Sequence, residues 1–236
     1  MNTPIAFGND IGEEVVANII CIIDKSGSMS SIRNDTIGSF NTFIEEQKQM
    51  PGKATITVVF FNQSMQVWYS GKLEDTPTLT TDNYVPEGMT ALYDTVCSTI
   101  EEMKNLKSSL LMILTDGEEN SSTKYKNKED VKCMIEERSD NGWTVVYLGA
   151  NQDAFEEGTS IGISGCLTMN FDANDIGITN VFRGISNTTT SYRSAQYNLT
   201  DDGNDGYSSV VRGGRNNCTY DPNILTDEVL TTGGTK

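Results

Sequence analysis

Asn18-Ile-Ile-Cys-Ile-Ile-Asp24-Lys-Ser26-Gly-Ser28 is the stretch on which the reading of this 236-residue chain turns. Residues 18–23 read as a strand buried on both faces of a parallel sheet, because their apolar run is unbroken rather than alternating. The run stops at Asp24. In a loop leaving a strand, alternate side chains can turn toward one point while the backbone curls round it. Asp24 brings negative charge, Ser26 and Ser28 bring neutral oxygens, and Gly27 permits the tight curl.

Working outward, apolar runs alternate with longer amphipathic stretches. Residues 31–49 place Ile32, Thr36, Ile37, Phe40, Phe43, Ile44 and Gln47 on one side at helical spacing, and Pro51-Gly52 ends that helix. Ala54–Phe61 is the next strand. Asn62-Gln63 reads as a tight turn into Met65–Tyr69, whose alternation predicts an antiparallel edge strand. A helix is expected over 91–107, with Leu92, Val96, Ile100, Met103 and Leu106 inward, then a strand over Leu110–Leu114 that delivers Asp116. A charged helix over 128–141, a strand over Trp143–Leu148, a short helix over Ala154–Gly158 and a last strand over Cys166–Asn170 complete the pattern. Beyond 173, Ile178, Val181, Phe182, Ile185, Tyr192 and Gln196 keep helical spacing, although Asn187-Thr-Thr-Thr190 is a poor helix former that is expected to bend or interrupt the helix.

This alternation predicts an α/β fold: a Rossmann-like, doubly wound, mostly parallel sheet with one antiparallel edge strand and helices on both faces. Ligands in such sheets bind beyond the carboxyl ends of the strands, near a topological switch point. The expected organisation is an N-terminal extension over 1–16, one domain over 17–199 and a polar, glycine-rich tail over 200–236.

Two further loops match the first in chemistry. Gly88-Met89-Thr90 precedes a helix, and Thr115-Asp116-Gly117 ends an apolar strand. Asp24, Ser26, Ser28, Thr90 and Asp116 together make two carboxylates and three hydroxyls, with no imidazole or thiolate. Such a set suits a hard divalent cation, Mg²⁺ with Mn²⁺ also accommodated, and leaves a position open on an octahedral ion. Glu118-Glu119 read as solvated loop charges, Asn62 as a turn residue, and Trp68 and Trp143 as packing anchors. Asp201-Asp-Gly-Asn-Asp-Gly206 fails as a calcium loop, since Gly203 would fall at a ligand position and Arg212 at the closing glutamate.

Composition narrows the function. The chain has 17 basic and 33 acidic residues, a formal charge of −16, and no histidine. Such a field repels nucleic acid and anionic membranes. Without histidine, the usual zinc sites and the Ser-His-Asp and Cys-His catalytic arrangements are excluded. The five cysteines are widely spaced, with no Cys-x-x-Cys. The first ten residues lack a basic start and an apolar stretch, so no signal peptide is expected, and a reducing, cytoplasmic compartment fits.

The three loops together resemble those of a von Willebrand factor type A domain with a complete metal-ion-dependent adhesion site. Its Asp-x-Ser-x-Ser matches Asp24, Ser26 and Ser28, its threonine Thr90 and its final aspartate Asp116, over about residues 17–170. Leu114–Ser122 and Gly142–Asp153 look most like the compact intracellular versions of bacteria and their phages. The resemblance implies that Ser26, Ser28 and Thr90 touch the metal, that the aspartates bind directly or through water, and that a partner's acidic side chain completes the coordination. It thereby implies a non-enzymatic protein-binding module, serving an AAA-type ATPase or an assembly partner. Two other readings stay open: a structural or virion component whose metal braces the loops, and a metal-dependent phosphoryl hydrolase. Against the latter, Ser26 stands where a second aspartate would serve as acid/base.

Overall fold

The computed structural model describes residues 16–150 and 154–201. Its elements run β1 (Ala17–Asp24), α1 (Arg33–Lys48), β2 (Ala54–Phe61), β3 (Met65–Lys72), α2 (Leu92–Glu102), β4 (Leu110–Thr115), α3 (Lys128–Asp140), β5 (Thr144–Ala150), α4 (Ala154–Ser160), β6 (Thr168–Phe171) and α5 (Asp175–Asp201). The described residues form a six-stranded sheet in the order β3-β2-β1-β4-β5-β6. Every neighbouring pair is parallel except β2 with β3. This is the doubly wound, mostly parallel sheet that the alternation predicts.

Central β1 explains its own sequence. Ile19, Cys21 and Ile23 enter one core beside Phe40, Phe43 and Ile44 of α1 and Ile178, Phe182 and Ile185 of α5. Ile20 and Ile22 enter the other, beside Val96 and Ile100 of α2 and Val131 and Ile135 of α3. A strand covered on both faces has no polar side to display, so its run is continuously apolar. Trp68 lies at a register shift opposite Val58/Val59, stacks on Phe60 at 5.3 Å between ring centroids, and meets Phe40 edge-on.

Several boundaries differ from the sequence expectation. The hairpin turn spans three residues, Asn62 to Ser64, closed by the Asn62 amide on the Ser64 carbonyl at 3.2 Å, and β3 continues to Lys72. α2 stops at Glu102 rather than 107, and the chain passes into a turn in which the Leu106 amide donates to the Met103 carbonyl at 3.0 Å; Arg138 donates to Lys104 O and the Trp143 indole to Leu106 O, each at 3.1 Å. Met103 and Leu106 still pack inward, but from a turn. Cys166 sits in a 3-10 turn ahead of β6. α5 runs unbroken through Asn187–Thr190. Thr188, Thr189 and Ser191 return their hydroxyls to the carbonyls four residues back, at 3.1, 2.8 and 3.0 Å, and packing against α1 overrides weak propensity. The extension 1–16 apart from Val16, the tail from 202 onward and the Asp201–Gly206 stretch beyond its first residue lie outside the described residues.

α5 is tied to α1 by a buried polar seam. Gln47 donates to Ser186 Oγ at 3.2 Å, and Ser186 donates to Glu46 at 2.5 Å. Arg193, 3% exposed, donates to the Gln47 carbonyl and, at 2.9 Å, to that of Gly52. Its guanidinium sits over the negative end of α1, and burial pulls its pKa down. Arg193→Met removes these charged hydrogen bonds, although the Gln47 carbonyl keeps the Met50 amide at 3.2 Å. A loss of about 2 kcal/mol in urea unfolding is expected; an unchanged midpoint would contradict this role.

Candidate metal site

The chain winds outward from β1 to β2 and β3, then returns to place β4 on the other side of β1. The switch point therefore lies between β1 and β4, with Ile23 abreast of Leu114. Asp24 is the last residue of β1, and Asp116 follows the last residue of β4. Ser26 caps a 3-10 turn over Gly27–Ile32 that carries Ser28, and Thr90 lies two residues before α2.

The five oxygen-bearing residues meet there. Asp24 is fully buried; its Oδ1 accepts from the Ser26 amide and its Oδ2 from the Thr115 hydroxyl, both at 2.6 Å. The Ser26 and Ser28 hydroxyls are 2.9 Å apart, and Ser28 donates to Asp116 Oδ1 at 2.6 Å. Gly117 locates the focus. A methyl group on its Cα would stand 3.2 Å from Thr90 Oγ1, 3.3 Å from Ser28 Oγ and 3.8 Å from Asp24 Oδ2. Three oxygens from the first two loops thus face one small space that a glycine of the third keeps clear. Ser28 is exposed, and Asp116 and Gly117 are half-buried, so this space opens to solvent.

The electrostatics suit a cation. Burial pushes the Asp24 carboxyl up to about 6, and the neighbouring Asp116 charge adds to the rise, against the opposing hydrogen bonds from Thr115 and Ser26. Burial also raises Asp116, with the Ser28 hydrogen bond opposing. Among the described residues no group of three or more His, Cys, Asp or Glu gathers to hold a metal, so charge here would come from the Asp24–Asp116 pair and the remaining donors would be hydroxyls. Neutral oxygens around two carboxylates fit a hard divalent ion.

Residues outside the set hold the loops. The Thr90 amide donates to Asn120 Oδ1 at 2.9 Å, while the Asn120 amide donates back to the Thr90 carbonyl at 3.0 Å. Glu119 is not a solvated charge: it accepts from the Tyr93 amide at 2.9 Å and from the Ser121 and Ser122 amides at 2.9 and 2.7 Å. Asp94 likewise accepts from the Thr123, Lys124 and Tyr125 amides, which holds its carboxyl below the usual range against the opposing effect of burial. Asn62 is both turn residue and brace, accepting from the Ser64 amide and donating to the Glu87 carbonyl, each at 3.1 Å. Thr115 carries a signal in sequence, its place beside Asp116; Asn120 carries none.

Solved structures give the fold its relatives. Proximal thread matrix protein 1 from the mussel byssus superposes with a TM-score of 0.57 and 17% identity, over 75% of this chain and 47% of that one. The vWF domain of the pilus tip protein Mfa5 from Porphyromonas gingivalis gives 0.55 and 11%, over 77% of this chain and 97% of that domain. The pilus adhesin SpaC from Lactobacillus rhamnosus GG gives 0.62 and 12%, over 79% and 31%. This is the fold of von Willebrand factor type A domains. The byssus protein has also been solved with a zinc-occupied metal-ion-dependent adhesion site, and that form superposes at 0.52 with 14% identity, over 73% of this chain and 48% of that one. The chain spans about half the length of the byssus protein and a third of SpaC. No protein-family model matches it, and neither does any curated protein sequence.

Two predictions follow from the geometry. Gly117→Ala fills the space without removing an oxygen, so calorimetric titration with Mn²⁺ should show at least a tenfold loss of affinity, on the scale of disturbing a metal's surroundings; wild-type affinity would contradict the placement. The second concerns the metal-free protein. Asp24 ionises near 3.8 when unfolded and at about 6 in the fold. The folded state therefore holds the proton between these values, and the buried charge costs stability as pH rises through that window. Asn at position 24 carries no such charge, and its amide nitrogen can donate to Thr115. In EDTA, Asp24→Asn should thus gain on the parent between about pH 4 and pH 7, by up to about 3 kcal/mol. A pH-independent difference in unfolding midpoint would contradict the burial argument.

Proposed function

We propose that this chain is a non-enzymatic protein-binding module whose divalent metal is held by Asp24, Ser26, Ser28, Thr90 and Asp116, the five positions of a metal-ion-dependent adhesion site. The observation that carries the proposal is the convergence of Asp24, Ser28 and Thr90 oxygens on the space that Gly117 leaves, at a point open to solvent. When bound, Mg²⁺ or Mn²⁺ supplies a coordination position that an acidic side chain of a partner can fill. The chain's own residues prepare for it. Thr115 and the Ser26 amide orient the Asp24 carboxylate, Ser28 aligns Asp116, and Asn120 fixes the backbone of Thr90.

Solvent access at Ser28 favours recognition over a buried metal that merely braces loops. The hydroxyl-rich set supports Mg²⁺ over softer ions, and the zinc-occupied site of the byssus protein supports a divalent ion in general. We read the module as non-enzymatic because the chain lacks histidine and because Ser26 occupies the position of a second acid/base. Among the described residues no helix is long and apolar enough to cross a membrane. The free thiols of Cys21, Cys97 and Cys133 suit a reducing, cytoplasmic setting. That setting, a bacterial or phage source and an AAA-type ATPase as partner belong to the proposal and rest on the motif resemblance.

Affinity capture tests it. A partner retained by wild type in Mg²⁺ and lost both in EDTA and with Ser26→Ala is the expected result. The same partners surviving both treatments would contradict metal-bridged recognition.

A further inference from the structure

We infer that the segment Tyr84–Gly88 is the template on which the metal loop is shaped, and that Tyr84 is a positioning residue for Asp24. The inference rests on the metal-binding reading above and adds to it a residue that supplies no ligand.

The first loop leaves the sheet at Asp24, where regular strand pairing ends. Its backbone should be free to rotate there, yet each peptide is tied. The Tyr84 hydroxyl donates to the Asp24 carbonyl at 2.5 Å, and the Lys25 amide donates to the Phe61 carbonyl at 2.6 Å. Both ends of the peptide unit joining Asp24 to Lys25 are therefore pinned. The Glu87 amide then donates to the Lys25 carbonyl at 2.9 Å, and the Gly27 amide to the Gly88 carbonyl at 3.0 Å. Three hydrogen bonds in step lay the segment along the loop. Gly88 has a φ of +79°, and a Cβ there would lie 1.9 Å from Gln63 Oε1, so the template needs glycine at its end.

Tyr84 is built for this place. It is fully buried, and its ring packs on Phe60 at 5.4 Å between centroids. Arg33, at the start of α1, donates to the Tyr84 carbonyl at 2.9 Å and also to the Thr81 carbonyl. Burial foremost, then the charges of Asp24 and Asp116, hold its phenol well above the usual tyrosine range, so it remains a donor. Thr90 lies two residues beyond the template. One segment thus fixes the direction of the Asp24 side chain and delivers the second loop beside it.

A control separates positioning from mere stability. Asn41 anchors the same connection at Leu79, away from Asp24, through bonds of 2.9 and 2.8 Å. The experiment is Mn²⁺ titration, by electron paramagnetic resonance of the free ion, on wild type, Tyr84→Phe and Asn41→Ala, with urea unfolding of each in EDTA. Tyr84→Phe should weaken Mn²⁺ binding about tenfold, the scale of losing a group that orients a metal ligand. Asn41→Ala should lose at least as much stability while binding Mn²⁺ within about twofold of wild type. Tyr84→Phe binding like wild type, or Asn41→Ala weakened equally, overturns the inference and leaves metal binding intact. Failure of wild type to take Mn²⁺ overturns the parent reading and this inference with it.

Discussion

The site depends on a carboxylate placed where water cannot reach it and where its hydrogen-bond donors are neutral. Asp24 ends the central strand, fully buried, with the Thr115 hydroxyl and the Ser26 amide as its donors and a second carboxylate, Asp116, acting on it. Burying an ionised group without a counter-charge is costly, and the fold answers by holding its pKa up. A divalent cation at the Gly117 space would supply the missing charge. The strain of the metal-free state and the affinity of the loaded state are then two sides of one arrangement.

Topology explains why the three loops can meet. With β1 and β4 adjacent and the chain winding away from both, the loops after them diverge and leave a crevice between their ends. The connection from β3 to α2 brings Thr90 to that crevice. Asp94 and Glu119 bind the segment after Asp116 to the first turn of α2, just beyond Thr90. Residues with no ligand role thereby set the distances between those that would have one.

How much was legible in the sequence follows from what each residue answers to. β1, β2 and β4 are apolar because both their faces are covered, so their runs announce them within a residue or two. Asp24, Ser26, Ser28, Thr90 and Asp116 stand out for a different reason: their spacing matches a metal-ion-dependent adhesion motif, and the fold brings their loops together. The parts that escape are those decided by a distant partner. The turn after α2 is held by Arg138 and Trp143, and the continuity of α5 by its packing on α1. Glu119 looks like a surface acid until Tyr93, Ser121 and Ser122 present their amides to it. Tyr84 lies in a long irregular connection without periodicity, and only the fold brings its hydroxyl to the Asp24 carbonyl.

Resemblance in fold to a byssus matrix protein and to pilus proteins, at 11–17% identity, speaks for architecture. The claim specific to this chain is that its five oxygens hold one ion. Crystals grown with Mn²⁺ and measured for anomalous scattering test it most directly. One strong peak is expected within bonding distance of Ser26, Ser28 and Thr90 and beside Asp24 and Asp116. A map without a peak there, or with Mn²⁺ bound only at surface carboxylates elsewhere, would contradict it.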